Sequence, residues 1–342
     1  MAAAVRERPA RDMTTSTAKR VRVMSGMRPT GRLHLGHLVG ALTNWAELSR
    51  TADAFFEIAD LHAFTTAYQS PDEIRVARED MVRDWLAAGV DAETSTIYLQ
   101  SGVPEISELH VLLSMIVPVS WLERTPTYKE QIEALGSEIA TYGFLGYPLL
   151  QLCDIAVFRG ERVPVGRDQV AHLELGREIV RRFNRLYGDT LVEPQPLLTE
   201  FPAVPGTDGR KMSKSYGNTI DLADDAETTT QKVRSMFTDP QKIRRNDPGR
   251  PEICPVYALH HIANASRTPW VAENCRTGAL GCVQCKGELA EKLNAYLQPI
   301  RERRTQFSDA QIRQIIAEGT ERAREAASSV LADVKHAMKL DL

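Results

Sequence analysis

The spacing of apolar positions changes character several times along the chain. An extended apolar segment begins with Val21 and Val23 and ends near Gly26. From Leu35 to Ala46 the apolar positions follow the spacing of a helix with one buried face. This pattern predicts a strand followed by a helix between residues 21 and 46.

The same alternation continues downstream. The apolar runs AFFEIAD (54–60) and TSTIYLQS (94–101) are typical of strands. Between them, Ser70 and Pro71 are followed by an acidic residue at the capping-box position, and this predicts a helix that ends near Ala88. Strands that alternate with helices predict an α/β fold, a Rossmann-like parallel sheet covered on both faces.

Strand signals disappear after Leu222. Ser308 and Gln311 form a second capping-box pattern, and a long apolar stripe follows from Ile312 to Met338. We therefore expect three parts: a disordered polar tail (1–20), a Rossmann-like catalytic domain (21–220) and a smaller all-helical domain (221–342).

Composition narrows the function classes only slightly. The 342 residues carry a formal charge of −3, which argues against a surface coated in basic side chains but leaves a local basic patch open. No apolar run approaches the roughly 20 residues that a membrane span needs, so no membrane partner is expected. Five cysteines without a secretory signal predict a cytoplasmic protein whose cysteines are thiols or metal ligands.

A turn with two histidines joins the first predicted strand to the first predicted helix. In HLGH, His34 and His37 lie three positions apart and share one face of the helix. Free N–H groups at such a helix start attract phosphate, to which both imidazoles can donate, and Gly36 leaves room for a nucleotide. The alternatives are two helix-capping histidines without a ligand, or half of a metal site.

A second motif lies in the glycine-containing basic loop GTDGRKMSKSYGN (206–218). Lys211 and Lys214 lie three positions apart in it. Lysines on a flexible loop suit a migrating phosphate charge, because they can approach as the charge develops and retreat afterwards. A solvated charge pair is the simpler alternative, but the coincidence of this loop with HLGH in one chain makes it improbable.

These two motifs carry a resemblance to a known family. HLGH (34–37) and KMSKS (211–215) resemble the two signatures of the class I aminoacyl-tRNA synthetases. Within that class the chain is most similar to the tryptophanyl-tRNA synthetases. Four stretches follow in that family's order: residues 24–42, FFEIADLHAFTT (55–66), GYPLLQLCDI (146–155) and VPVGRDQ (163–169).

The resemblance implies two steps, using ATP with Mg²⁺. The carboxylate of tryptophan attacks the α-phosphate of ATP and releases pyrophosphate, and the terminal ribose of tRNA(Trp) then takes the aminoacyl group. The catalytic residues that it implies are His34, His37, Lys211 and Lys214. Those implied for ATP are Arg28, Pro29, Thr30, Gly36, His37, Gly166, Arg167, Asp168, Val204, Lys211, Met212, Ser213, Lys214 and Ser215. Those implied for the amino acid are Met24, His62, Tyr147, Gln151, Asp154, Val165 and Gln169.

The choice of amino acid depends on one helical stretch. Tyr147, Gln151 and Asp154 have helical spacing and line one face. An ionised carboxylate only accepts hydrogen bonds, which suits an indole N–H, and the resemblance implies that Asp154 receives it. The same spacing also occurs in tyrosyl-tRNA synthetases, so tyrosine remains an alternative substrate.

Two further alternatives come from outside this activity. A synthetase-like paralogue with a regulatory or binding role is typically marked by damaged signatures, whereas both signatures are intact here. Nucleotidylyltransferases of the H-x-G-H type lack a KMSKS loop followed by a long helical domain.

Four cysteines form a cluster in the helical part. Cys254, Cys275, Cys282 and Cys285 have the spacing C-x20-C-x6-C-x2-C. This ligand set fits a structural Zn²⁺ or a [4Fe–4S] cluster, and four core thiols are the simpler alternative. Some tryptophanyl-tRNA synthetases carry a [4Fe–4S] cluster on cysteines with the same x6, x2 ending, and the resemblance therefore favours the cluster.

The resemblance also implies macromolecular partners. WLERTPTYKE (121–130) matches a region that the family uses at its dimer interface, so a homodimer is expected. The helical domain corresponds to the part that binds the tRNA anticodon. Near the cysteines, Arg276 and Lys286 are basic side chains available for phosphates.

Overall fold

A single five-stranded parallel sheet organises the first two hundred residues. The computed structural model describes residues 20–125, 128, 130, 132–133, 136–166, 169–198 and 203–341, so all but the last residue of the predicted tail 1–20 lies outside the described residues. The strands are β1 (Arg22–Met27), β2 (Asp53–Ile58), β3 (Thr96–Leu99), β4 (Arg162–Val165) and β5 (Gln195–Leu198). They pair in parallel in the order β3-β2-β1-β4-β5, which confirms the Rossmann-like prediction.

Helices cover the sheet and continue beyond it. Those up to β5 are α1 (Leu35–His37), α2 (Thr43–Thr51), α3 (Asp60–Ala67), α4 (Pro71–Ala88), α5 (Pro104–Ser114), α6 (Val119–Glu123), α7 (Tyr142–Leu145), α8 (Tyr147–Ala156) and α9 (Val170–Tyr187). Those after β5 are α10 (Ala226–Ser235), α11 (Pro255–Ala263), α12 (Thr268–Arg276), α13 (Cys282–Arg304) and α14 (Asp309–Ala337). A π-helical turn (Leu38–Leu42) joins α1 to α2. No helix of the described part is long and apolar enough to cross a membrane.

The predicted helix boundaries are confirmed at two helices, but their caps differ. The helix α4 begins at Pro71 and ends at Ala88, where Gly89 takes a left-handed conformation (φ 106°). The side chain of Ser70 makes no capping hydrogen bond, so the capping box predicted there was wrong. In α14, by contrast, Ser308 and Gln311 cap the helix reciprocally as predicted.

The core lies on both faces of the sheet, because neighbouring residues of a strand point to opposite sides. In β2, Phe56 stacks on Trp45 on one face (ring centroids 4.7 Å apart), whereas Phe55 stacks on Phe158 on the other (4.9 Å). On the same face as Phe56, the indole of Trp85 packs edge to face against Trp45.

The last two helices complete these cores instead of forming a separate one. Leu293 and Leu297 of α13 are buried with Trp45, and Ala327 and Val334 of α14 are buried with the cluster on the opposite face. The helix α14 lies directly on β3: a Cβ at Gly319 would lie 1.9 Å from the carbonyl oxygen of Ile97. The domain boundary near residue 220 stays a prediction.

The sheet topology fixes where a ligand can bind. The strands β1 and β4 are neighbours, and the chain leaves them toward opposite edges of the sheet. Ligands of such sheets bind beyond the carboxyl ends of the strands at this reversal point. The HLGH turn follows β1 and the VPVGRDQ segment includes β4, so both motifs lie at this position.

Candidate active site

The HLGH turn is built as a reciprocal helix cap. His34 precedes α1, and its Nδ1 accepts a hydrogen bond from the backbone N–H of Gly36 (3.1 Å). In return, Nδ1 of His37 accepts from the backbone N–H of His34 (3.1 Å). The rings pack together with centroids 3.8 Å apart. The two histidines therefore do cap the helix, as the simpler alternative for them predicted.

Both imidazoles are neutral near pH 7. Burial is the main cause that lowers the pKa of His34 to about 4 and that of His37 to about 3, and the nearby Lys214 contributes to both shifts. Since Nδ1 accepts a backbone hydrogen bond in each ring, the proton of each neutral imidazole resides on Nε2. The turn therefore offers two fixed neutral N–H donors, not two positive charges.

Gly36 is required by the cap itself. A Cβ at this position would lie 3.0 Å from Cε1 and Nδ1 of His34, and 3.9 Å from Cβ of Val204. The nearest neighbour that a side chain would displace is thus the His34 ring. The absence of a side chain at Gly36 lets both the ring and the start of α1 approach closely.

The KMSKS loop is tied to the HLGH turn through the backbone. Residues 33–35 pair with 220–222: Leu35 N–H donates to the carbonyl of Ile220 and Leu222 N–H to that of Leu33, both at 2.9 Å. The two signatures, almost 180 residues apart in sequence, therefore form one structural unit.

The two loop lysines differ in their surroundings. Lys214 lies half-buried across the turn after β1, and its Nζ donates to the carbonyl oxygens of Thr30 and Gly31 (3.0 Å each). Burial lowers the pKa of Lys214 to about 8. Lys211 is exposed and pairs through its backbone with Pro205.

Asn218 holds this loop together through hydrogen bonds, a role that was not predicted from the sequence. Its Oδ1 accepts from the backbone N–H of Ser213 (2.8 Å), and its Nδ2 donates to the carboxylate of Asp208 (2.7 Å) and the carbonyl of Lys211 (3.2 Å). A Cβ at Gly206 would lie 2.2 Å from Asn218 Nδ2. The available signal was an asparagine that follows the glycine at the end of the loop.

The residues implied for the amino acid surround one cavity. This cavity, of about 330 Å³, lies at the carboxyl ends of β1 and β4. The predicted residues that line it are Met24, His62, Tyr147, Gln151, Asp154, Val165 and Gln169. The ring of Tyr147 meets that of His62 edge to face with centroids 4.8 Å apart.

Asp154 lies at the centre of a hydrogen-bond network beneath the cavity. It is buried, and it accepts from Gln100 Nε2 (2.8 Å) and interacts with His62 Nε2 (2.7 Å). Burial lowers the pKa of His62 to about 4, so the neutral imidazole donates to Asp154. Burial also raises the pKa of Asp154 itself.

Two buried polar residues of this site were missed. Gln100 directly follows β3 and holds Asp154, while Glu57, near the carboxyl end of β2, lines the same cavity. The sequence feature that could have identified them is a polar side chain within or directly after an apolar run, at the carboxyl end of a predicted strand, where ligand sites of such sheets lie. Gln100 lies outside the stretches that resemble the family, and Glu57 lies in one of them (55–66) but was assigned no role.

The residues implied for ATP lie around the reversal point, as far as they are described. Arg28 lines the amino-acid cavity, and Pro29 and Thr30 line a neighbouring cavity of about 810 Å³ along α4. Val204 and Met212 are buried, Ser213 is half-buried and Ser215 is exposed on the KMSKS loop. Gly166 follows β4, and Arg167 and Asp168 lie outside the described residues.

The four cysteines of the helical part line one small cavity. Cys254 directly precedes α11, Cys275 lies in the last turn of α12, and Cys282 and Cys285 lie in the first turn of α13. The pKa of Cys285 is raised to about 12, mainly by burial and in addition by the neighbouring thiols of the other three cysteines. In the described part of the chain, no three of these sulfurs lie within 4.8 Å of one another.

Two other polar groups lie beside the cysteines. His260 is buried with its Nε2 3.4 Å from Cys285 Sγ, a placement that was not predicted from the sequence. The buried Lys242 lines the same cavity and donates to the backbone carbonyl of Arg245 (3.2 Å).

Comparison with known proteins finds one family throughout. The family described as tRNA synthetases class I (W and Y) matches residues 16–298. A tryptophan–tRNA ligase of Thermotoga maritima is 48% identical, over 94% of this chain and 99% of that protein. One of Aquifex aeolicus is 43% identical, over 94% of this chain and 100% of that protein. The crystal structure of a Campylobacter jejuni tryptophanyl-tRNA synthetase complexed with ADP and tryptophan superposes with a TM-score of 0.85 at 30% identity, covering 94% of this chain and 100% of that one.

Proposed function

Since the chain belongs to the class I tRNA synthetases for tryptophan and tyrosine and is a tryptophan–tRNA ligase by its relatives, we propose a role for each part of its site. Tryptophan binds in the cavity above Asp154, and ATP binds between the HLGH turn and the KMSKS loop. The observation that carries this assignment is the cavity at the carboxyl ends of β1 and β4, which is lined by all the residues implied for the amino acid.

The chemistry of activation needs charge neutralisation more than proton transfer. The carboxylate of tryptophan is already ionised at neutral pH, so it attacks the α-phosphate of ATP without a general base, and pyrophosphate leaves with the electron pair of the broken bond. His34 and His37 donate from Nε2–H to phosphate oxygens. Lys211 and Lys214, with Mg²⁺ on the nucleotide, neutralise the charge that spreads to the leaving group.

We propose that Asp154 selects tryptophan by accepting the indole N–H. A buried polar contact of this kind rejects analogues that lack the donor better than an apolar slot does. Asp154→Asn presents a weaker neutral acceptor or an opposed N–H, and we expect a loss of roughly 1–3 kcal/mol in kcat/KM for tryptophan.

Asp84→Asn is the matched control for this substitution. Asp84 is equally buried but is paired with Arg304, away from the cavity. Pyrophosphate exchange with tryptophan, tyrosine and phenylalanine measures discrimination in both variants. Unchanged discrimination in Asp154→Asn, or an equal loss in Asp84→Asn, would remove Asp154 from this role.

We propose that the four cysteines hold a [4Fe–4S] cluster. The donor set fits, because four thiols line one cavity with a buried lysine beside them that can offset part of the negative charge of thiolate ligands. The same four thiolates would also suit a tetrahedral zinc, and the resemblance in the x6, x2 spacing of the cysteines favours the four-iron cluster.

Anaerobic purification tests the cluster. We expect a brown protein with about four irons per chain and broad absorption at roughly 400 nm. Cys254→Ser should lower the iron content, whereas Cys153→Ser, a buried cysteine outside the group, should leave it unchanged. Stoichiometric zinc in a colourless preparation, or no metal, would contradict the proposal.

We propose a homodimer whose interface includes the region from α5 to α7. Exposed apolar side chains collect there, among them Val111 (52% exposed), Met115 (73%) and Tyr142 (73%). The predicted interface segment 121–130 lies in the same stretch, although residues 126, 127 and 129 are outside the described residues. Light scattering should show a dimer that Met115→Asp dissociates and that Val283→Asp, at a residue of α13 that is also exposed (88%), does not.

We propose that the helical part from residue 221 to residue 342 binds the tRNA(Trp) anticodon, and that the enzyme works in the cytoplasm, where its tRNA and ATP are available. The two basic residues expected to contact phosphates are engaged elsewhere: Arg276 pairs with Glu252, and Lys286 donates to the carbonyls of Arg234 and Met236. Contact of these two side chains with phosphates stays a prediction, and it requires them to leave these partners. Exposed arginines at 244 and 245, beside the cysteine cavity, are the better candidates.

A further inference from the structure

Glu57 is a buried acid that the mechanism above does not use. It lies in the apolar run of β2 and is 3% exposed, yet it lines the proposed tryptophan cavity. Its partner in the parallel register of β1 is Gly26, and a Cβ there would lie 2.9 Å from Glu57 Oε2. The glycine therefore leaves the space that the carboxyl group of Glu57 occupies.

Glu57 lies beside Asp154, the residue assigned to the indole. The hydroxyl of Tyr98 donates to Glu57 Oε1 (2.9 Å), and the carboxyl groups of Glu57 and Asp154 interact directly. Ligand atoms of Glu57, His62 and Asp154 all lie within 4.8 Å of one another. Two buried carboxyl groups this close cannot both be ionised at modest cost, so they share a proton unless a cation lies between them.

The surrounding donors decide where that proton resides. Asp154 already receives hydrogen bonds from His62 of α3 and Gln100 after β3, which stabilise its ionised form. Glu57 receives one, from Tyr98 of β3. The other charged groups that act on this cluster are Arg28 after β1 and Asp60 of α3. Burial and the neighbouring Asp154 raise the pKa of Glu57 well above its usual range, which agrees with a protonated Glu57.

We propose that Glu57 is a positioning residue for tryptophan selection, a neutral acid that donates its proton to Asp154 in a hydrogen bond. This proposal rests on the proposed function of the cavity. Asp154 then stays the ionised member of the pair, and its orientation is fixed from three sides. An ionised Asp154 accepts the indole N–H with the lone pairs that its protein donors leave, whereas a protonated one would oppose that N–H with its own O–H.

The proposal explains why an acid can occupy an otherwise apolar strand. If Glu57 were apolar, Asp154 would lose one donor and would itself be more readily protonated in this buried site. If Glu57 were ionised, the repulsion would drive the proton onto Asp154. Only the neutral acid both fills the space beside Gly26 and supports the charge of Asp154.

Glu57→Leu and Glu57→Gln separate these states. Glutamine keeps an N–H donor toward Asp154 and a carbonyl acceptor for Tyr98, whereas leucine keeps neither. We expect Glu57→Leu to raise KM for tryptophan about tenfold or more with a smaller change in kcat, and Glu57→Gln to recover all but about threefold of that loss. Thermal unfolding of both variants shows that they are folded.

The same two variants also test the two rival states, an ionised Glu57 and a cation bound between the carboxyl groups. An ionised Glu57 predicts that glutamine is as damaging as leucine, and that result would overturn the proposal. A cation held by Glu57, His62 and Asp154 predicts one divalent metal ion per chain that Glu57→Gln loses relative to the wild-type protein. Metal analysis that finds this difference would overturn the proposal as well.

Failure of this inference is distinguishable from failure of the proposed function. If the cavity does not take tryptophan, the wild-type protein itself shows no tryptophan-dependent pyrophosphate exchange. If only the role of Glu57 is wrong, the wild-type protein exchanges normally and the Glu57→Leu and Glu57→Gln variants do not differ in KM for tryptophan.

Discussion

The HLGH turn and the KMSKS loop are joined by backbone hydrogen bonds but are built in opposite ways. In the turn, His34 and His37 are fixed by reciprocal capping and are neutral because they are buried. In the loop, Lys211 is exposed, and Lys214 donates hydrogen bonds to the carbonyl oxygens of Thr30 and Gly31 in the turn after β1. The turn thus supplies oriented hydrogen bonds, and the loop supplies charge.

This difference fits the two demands of phosphoryl transfer. Donors that are held in place before the reaction cost no reorganisation when the transition state forms. Charge that develops during the reaction is better met by side chains that can change partners, and Lys214 can exchange the Thr30 and Gly31 carbonyls for phosphate oxygens. Asn218 holds the loop backbone while its lysines remain able to move.

The largest effect is expected from removing a loop charge. Lys211→Ala should lower the rate constant of adenylate formation by roughly 10²-fold or more, because a cation that stabilises the transition state is lost. Rapid quench of a single turnover measures this rate constant. Arg210→Ala is the control, since Arg210 is a neighbouring cation engaged with Asp208 and Tyr216. Normal turnover with only a raised KM for ATP would contradict the assignment.

A pH profile separates the neutral turn from the charged loop. The pKa of Lys214 is lowered, so its positive charge is present below about pH 8 and is lost as the pH rises through that value. We expect kcat/KM for ATP to fall above pH 8 by up to about tenfold per pH unit. The histidines should give no acidic limb between pH 5 and 7, since both pKa values lie below that range.

Lys214→Arg provides the control for this profile, because arginine keeps its charge throughout the range. The alkaline limb should disappear in that variant. If the limb persists unchanged, another group is responsible for it. If an acidic limb with a pKa near 6.5 appears and is lost in His37→Gln, the imidazoles are not neutral.

The smallest effect concerns the stability of the turn. His34→Ala removes the cap of α1 and should cost about 1 kcal/mol, a shift of about 2 °C in Tm. His34→Asn keeps a capping acceptor but lacks the Nε2–H donor, so it should recover stability without recovering activity. Thermal unfolding and exchange kinetics test the two roles. If His34→Asn recovered activity, His34 would act only as a helix cap and not as a hydrogen-bond donor to phosphate.

Local patterns in the sequence predicted the local structure well. The helical spacing from Leu35, the start of α4 at Pro71 and the capping box at Ser308 depend on contacts within a few residues. The prediction for Ser70 was wrong because a capping residue type permits a hydrogen bond without ensuring its geometry.

Long-range contacts could not be predicted from these patterns. The apolar stripe of α14 predicted a buried face, but not that Gly319 would bring it against β3. Likewise, Glu57 and Asp154 are almost 100 residues apart, and their shared proton depends on the register of β1 and β2 and on the placement of α8. The motifs contain the groups that we propose to react, whereas the groups that hold them in place are set by the fold.

Activation of tryptophan by this site is tested most directly by amino-acid-dependent exchange of labelled pyrophosphate into ATP by the wild-type protein, with tryptophan and tyrosine compared at equal concentrations. We expect exchange with tryptophan and a kcat/KM for tyrosine lower by about 10²-fold or more. Comparable exchange with tyrosine, or none with tryptophan, would contradict it.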